Sequence, residues 1–486
     1  MELKTRLQNN KWAITIIFSF GIIYSLISLV NHYNLRTFAL DLGLYTNALY
    51  DYARFRFNDS LAFKDVPENL LADHFDLYLP LFSPLTYLFG TYTLLIVQIA
   101  AILLGAFGVY KLVKLWSPTG CFKYAALVYF LSYYSIFSAL SFDYHSNVVG
   151  AVVLPWLFYF AYTGQWLKAW FVLIFICIGK ENMSIWMLFV TLGLLFQFRK
   201  NKVARLHLMG MGVFSMIYTI LILGIVMPAF ASTGKYPHFQ YAVLGDSYKD
   251  ALLYVITYPF ESAELLFSNH SGDIKYDGIK TSFWKFTLLS GLLLIRKPVY
   301  LFMLIPIIGQ KLFHNNPSMW GVFSQYSIEL APIMAIGTYD VIRGMKNDKW
   351  KNVLAILMVL LSIVVTGRLL DMKKDSLMDL RFQFYKKKHY VKEYDLNDVK
   401  KALLIIPKDA HVSSQSHILP QIALRDKAYY FPTVLDAEYI IVSPVESSWP
   451  LKREEFIKQI DELRASPSWD LIVDTPSVLV FKRVVD

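Results

Sequence analysis

Apolar runs long enough to cross a bilayer recur along most of this chain, and its charged residues gather at the ends of those runs. A hydrocarbon layer about 30 Å thick takes about 20 mostly apolar residues as a helix, because the backbone must satisfy its own hydrogen bonds there. Such runs lie near 12–30, 92–115, 122–140, 146–163, 167–179, 183–198, 206–228, 281–295, 299–313, 322–342 and 352–369. They predict a polytopic α-helical membrane protein with about eleven transmembrane helices. At 56% hydrophobic and 17% charged residues, the composition excludes an ordinary soluble globular fold.

The formal charge of +10 does not point to nucleic acid, because the basic residues concentrate in short loops such as RKNKVAR at 199–205 and RGMKNDKWK at 343–351. Acidic residues concentrate in the alternate loops, which is the positive-inside pattern. It puts the N-terminus inside and the long loops 31–91 and 229–280 outside. The run after Lys11 lacks a small-x-small cleavage site, so it reads as a first membrane helix rather than a signal peptide. Cys121 and Cys177 sit in apolar runs and support neither a disulfide nor a thiolate metal site.

Residues 167–198 would read as one helix with Lys180 and Glu181 in hydrocarbon, at a cost of several kcal/mol. Two short helices meeting at GKEN avoid that cost. In the first outer loop, 42–57 reads as a helix lying along the interface, and 77–90, with Pro80 and Pro84, as a re-entrant or surface helix. The 229–280 loop is rich in Tyr, Gly and Asp and shows little apolar periodicity. Past residue 370 the chain changes character. The domains are therefore expected as a membrane domain 1–370, a basic connector 371–400 and a small soluble α/β domain 401–486 on the extracytoplasmic side. In that last part AHVSSQS, KAYYF, EYIIVS, WDLIV and SVLVFKR read as strands and REEFIKQIDELRA as an amphipathic helix.

Four polar clusters border apolar spans on the same outer face: Asp41, the group Asp73, His74 and Asp76, the pair Asp143 and His145, and the pair Lys180 and Glu181. Asp41 suits a general base for a hydroxyl, and equally a helix N-cap. Asp73 and His74 suit a divalent cation or a phosphate, or a solvated loop. Asp143 and His145 repeat that pairing. Lys180 beside Glu181 reads as a local ion pair or as a holder of lipid phosphate. Arg36, Arg54 and Arg56 add cations to the first outer loop, and Gln325, Tyr326 and Glu329 open the tenth span from outside. No glycine-rich nucleotide loop is present, so no nucleotide cofactor is expected.

The order FALDLGLYTNALYD, DHFDLYLPLFSPLTYLFG, FDYHSN and GKENMS, with IPKDAHVSSQSHILPQIALRDKAYYFP and AEYIIVS in the tail, resembles the bacterial membrane proteins grouped as domain of unknown function 2079. That family is similar in layout to the C-type (GT-C) glycosyltransferase superfamily. The resemblance implies a glycosyltransferase of the bacterial inner membrane, with its active site on the extracytoplasmic side and a sugar donor carried on polyprenyl phosphate. The acceptor would be a glycan, lipid or protein of the cell envelope. It implies catalytic roles for Asp41, His74 and Asp143, and substrate binding by Arg36, Arg54, Asp73, His145, Lys180, Glu181, Gln325 and Tyr326. A divalent cation, magnesium or manganese, has Asp73, Asp143 and His145 as candidate ligands. Leu42 follows Asp41 where a second acid is usual in such enzymes. The rival readings are a transporter or flippase of a lipid-linked or anionic solute and a non-catalytic membrane scaffold; the scaffold predicts that these side chains do not converge.

Overall fold

The computed structural model describes residues 10–117, 120–372 and 374–484. Residues 1–9, 118–119, 373 and 485–486, which fall in the expected membrane domain, its first inner loop, the connector and the tail, lie outside the described residues. The chain is mostly helical. Among the described residues, four helical segments are long and apolar enough to cross a membrane: Lys11–Tyr33, Tyr78–Trp116, Lys202–Phe230 and Asp348–Asp371. Shorter apolar helices, Ser146–Tyr162, Trp166–Cys177, Met183–Gln197 and Val299–Leu312, pack among them.

Several expected spans are broken, and the breaks have local causes. The 122–140 run divides into Phe122–Leu131 and Tyr134–Leu140. The carbonyls freed there are capped by side chains: Tyr24 donates to Leu131 O at 2.5 Å and Thr366 to Ser132 O at 2.6 Å. Irregular backbone at membrane depth is tolerated only with such partners. Pro155 begins a new helical segment after Val152, and the helix before Pro228 relaxes through a wide turn at Ile222–Val226 that accommodates the missing N–H. A Cβ on Gly105 would lie 1.9 Å from Val152 O, so only glycine permits that helix crossing.

The loops differ from expectation in three places. The helix Leu44–Tyr52 does not lie along an interface: Leu44 to Leu49 are buried, and the Asn47 amide donates to the carbonyls of Ala423 and Arg425 in the tail. Residues 78–92 form an almost continuous helical lead-in to Thr93–Trp116. The 229–280 loop holds two helices, Tyr248–Thr257 and Pro259–Leu265, whose exposed Leu252, Leu253, Ile256 and Phe260 give them an apolar outer side.

The tail forms a five-stranded sheet: β1 (Val412–Ser414), β2 (Ala428–Tyr430), β3 (Tyr439–Val442), β4 (Trp469–Asp474) and β5 (Leu479–Arg483), in the order β2-β1-β3-β5-β4. β1 runs parallel to β2 and β3, while β5 is antiparallel to β3 and β4. The two-residue period of β3 sends Tyr439 and Ile441 to one face and Ile440 and Val442 to the other. The second face packs on Phe456 and Ile460 of the helix Arg453–Ala465. The first packs on Val399 and Ala402, and also on Leu35 from the segment that follows the first membrane helix. The tail is thereby built onto the segment that carries Asp41.

Candidate functional site

Asp41 lies between the helices Lys11–Tyr33 and Leu44–Tyr52 with φ +68° and ψ −96°, a region that L-residues avoid. Such strain persists only where the surroundings over-determine it. Here Phe38 N donates to Asp143 Oδ2 at 2.8 Å, Ala39 N to Ser416 Oγ at 3.3 Å, and Gly43 sits against Leu419 so closely that a Cβ would be 3.1 Å from it. Among the described residues, the Asp41 carboxylate has no hydrogen-bond partner and faces His145, with Oδ1 3.8 Å from Nδ1. Burial, reinforced by the charge of Asp143, raises its pKa to about 7, against the opposing pull of Lys180 and Arg381.

The loop joining the helices Trp166–Cys177 and Met183–Gln197 carries Lys180 and Glu181. Gly179 lets it approach the Tyr78 ring, where a Cβ would meet ring carbon at 2.4 Å. Lys180 Nζ donates to His74 Nε2 at 3.3 Å, so the His74 proton resides on Nδ1, 3.2 Å from Glu181 Oε1. Burial, then the Lys180 charge, lowers the His74 pKa, against the pull of Glu181 and Asp73. His238, from the 229–280 loop, stacks on His74 with centroids 4.5 Å apart; its Nε2 donates to Asp73 O at 2.6 Å and lies 3.2 Å from Asp73 Oδ1. Burial opposes charge on Asp73, but His74 and His238 outweigh it and keep the carboxyl ionised.

These groups line one cavity of about 460 Å³. Of the residues singled out in the sequence, Asp41, Asp73, His74, His145, Lys180, Glu181, Gln325 and Tyr326 reach it. Gln325 and Tyr326 do so from an irregular segment, because the helix they were expected to open starts later, at Leu330.

Three expected site residues lie elsewhere. Asp143 is paired with Arg381 at 2.6 Å, both side chains 1% exposed, and is a brace behind Asp41 rather than a cavity group. Arg36 is buried and donates to the carbonyls of His389, Lys388 and Val391, tying the first loop to the connector. Arg54 stacks over Tyr50, 3.5 Å from the ring centroid. The sequence reading missed His238, Tyr236, Tyr241, Tyr248, Lys311 and Asn147, which also line the cavity.

For a cation, Asp73, His74 and His238 offer one ligand atom each, all within 4.8 Å of one another. Asp143 and His145 are not part of this group. Two imidazoles and a carboxylate suit zinc or manganese better than magnesium, which prefers oxygen. The Glu181 carboxylate behind His74 Nδ1 is the usual orienting partner of a ligating histidine.

Bundle, tail and cavity together define a helical membrane protein with a small α/β tail. The structure is similar to that of ArnT from Cupriavidus metallidurans bound to undecaprenyl phosphate, covering 98% of this chain and 98% of that one at 11% identity and a TM-score of 0.50. The chain belongs to the family described as predicted membrane protein (DUF2079), whose model matches residues 31–480. Comparison with curated proteins finds no match.

Proposed function

We propose that this protein is an inverting glycosyltransferase that moves a sugar from a polyprenyl-phosphate carrier to an acceptor hydroxyl on the outer face of the bacterial inner membrane. One observation carries the reading: a strained, unpaired Asp41 and the Lys180 ammonium line the same cavity, in a fold similar to that of a protein solved with undecaprenyl phosphate. The acceptor oxygen attacks the anomeric carbon from the face opposite the phosphate. The carbon–oxygen bond to phosphate breaks with its electron pair going to the phosphate, and Asp41 takes the hydroxyl proton. A base that titrates near 7 is matched to that task. Lys180 sits where leaving-group charge would be stabilised, in a site where such a contact is worth far more than in water.

His74 links Lys180 to Glu181 and fixes the ammonium in place. A cation held by Asp73, His74 and His238 would take the His74 Nε2 lone pair in place of Lys180, and would itself add Lewis-acid stabilisation of phosphate charge. Tyr236, Tyr241 and Tyr248 give the opposite wall a surface suited to the apolar faces of a sugar. Asp143 serves as a positioning residue for the Asp41 segment. About eleven crossings, with the tail on the outer face, complete this topology.

The test is sugar transfer from a polyprenyl-phosphate donor by the purified full-length protein in lipid nanodiscs, with Asp41→Asn as the control. Transfer that is lost in the variant supports the reading. Transfer undiminished in the variant removes Asp41 from the mechanism, and binding of donor without any turnover by the wild type favours a translocator.

A further inference from the structure

A buried ammonium needs either a counter-charge or a full set of acceptors, since an unpaired buried charge costs several kcal/mol. Among the described residues, the lysines of the fold meet this demand in different ways. Lys297 and Lys427 pair with Asp340 and Asp59. Lys280 has no carboxylate but donates to Leu265 O and His270 Nδ1, and Lys374 donates to three carbonyls. Lys311 is different. It is 2% exposed, lines the cavity, and its Nζ has one acceptor, Met319 O at 2.7 Å, with no carboxylate within the 4.0 Å of an ion pair. Two of its three donors are therefore unused.

Lys180 is the other cavity lysine with a single acceptor, His74. The two are held near each other, because the Asn182 amide donates to Gln310 Oε1 at 3.0 Å and these residues flank Lys180 and Lys311 in the chain. Glu329 feels the charge of both lysines, yet its carboxyl engages the Asn147 amide at 2.9 Å instead of closing on either. Among the described residues, the cavity thus presents two separate lysine side chains with donors left over.

We propose that Lys311 forms a second anion subsite of the cavity, so that the substrate carries an acidic group beyond the phosphate held by Lys180. The chemistry is that of a second phosphate on a diphosphate-linked carrier or a carboxylate on the transferred sugar. This rests on the donor site assigned to Lys180 above. A neutral substrate would leave the buried Lys311 donors unmatched, and sites of this kind reject ligands lacking the matching group far more strongly than apolar pockets do.

The test measures binding to the full-length protein in nanodiscs, with wild type, Lys311→Met and Lys311→Arg. One arm compares polyprenyl diphosphate with polyprenyl monophosphate, and the other compares free glucuronate with free glucose. The expected result is a preference of about tenfold or more for the more acidic ligand in one arm, which identifies the source of the anion. Lys311→Met should abolish that preference and Lys311→Arg should keep it. The inference is overturned if the wild type shows no preference in either arm, if Lys311→Met leaves the preference intact, or if Lys311→Met and Lys311→Arg lose it alike. Should neither polyprenyl ligand bind at all, the donor reading fails by itself, and inorganic pyrophosphate against phosphate then decides the lysine in the same way.

Discussion

One helix, Leu330–Arg343, connects two buried polar clusters of opposite character. Near its end, Asp340 is ion-paired through both oxygens: Lys297 Nζ lies 2.6 Å from Oδ2, Tyr300 donates to the same oxygen at 2.9 Å, and Arg343 pairs with Oδ1. Just before its start, Glu329 borders a cavity where, among the described residues, Asp41 has no hydrogen bond, Lys180 and Lys311 lack carboxylates, and His145 Nε2 has no partner. Charges that complete one another hold helices together, whereas charges left incomplete at a cavity are available to a ligand. The degree of satisfaction, rather than the presence of charge, separates the two clusters.

Changes in the open cluster should alter chemistry and changes in the closed one should alter stability. Asp41→Asn should lower kcat by about 10²–10⁴-fold while the protein stays folded. In the wild type, kcat/KM should fall as pH drops below about 7, because the base is then protonated. His238→Ala should weaken zinc uptake by more than about 100-fold, since it removes a ligand and an orienting partner alone is worth roughly 10–100-fold, measured by titration with a competing chelator; unchanged affinity would remove this group as a metal site. Asp340→Asn should cost about 1–3 kcal/mol of stability, read as a lower Tm, with transfer per folded molecule unaffected. An equal loss of turnover would erase the distinction.

The smallest expected effect concerns the stability of the open cluster itself. Asp41 has its folded pKa raised to about 7 from 3.8, so the folded state binds its proton more tightly than the unfolded state does. Its presence therefore becomes progressively destabilising as pH rises from about 4 to 7, and stays so above that. Asp41→Asn should be more stable than wild type at pH 8 by on the order of 1–2 kcal/mol, after allowing for the 19% exposure of the side chain, and no more stable at pH 4. Thermal melts at the two pH values check this, and an equal difference at both would refute it.

Much of the cavity was legible because Asp41, His74, His145, Lys180 and Glu181 stand at the ends of apolar runs, where a charge is conspicuous. The tail strands were legible from their two-residue alternation and β-branched content. His238 and the three tyrosines were not, since their loop has no periodicity and its short helices expose apolar residues to the outside. Asp143 was assigned to the site because its partner, Arg381, lies 238 positions away in a basic connector that reads as solvated. Lys311 did leave a trace. It sits in the last turn of an apolar helix, at the end that the proposed topology puts outside, where the charge rule disfavours lysine.

The cavity residues all lie between Leu40 and Glu329, so a chain cut before the connector would contain every one of them. It would not contain Arg381, Ser416 or Leu419, the three contacts that force the backbone at Asp41 into its unfavourable turn. The tail works here as a jig: among the described residues it lines none of the cavity but holds the strained segment to shape. Moving this cavity into another helical bundle would require moving the jig with it.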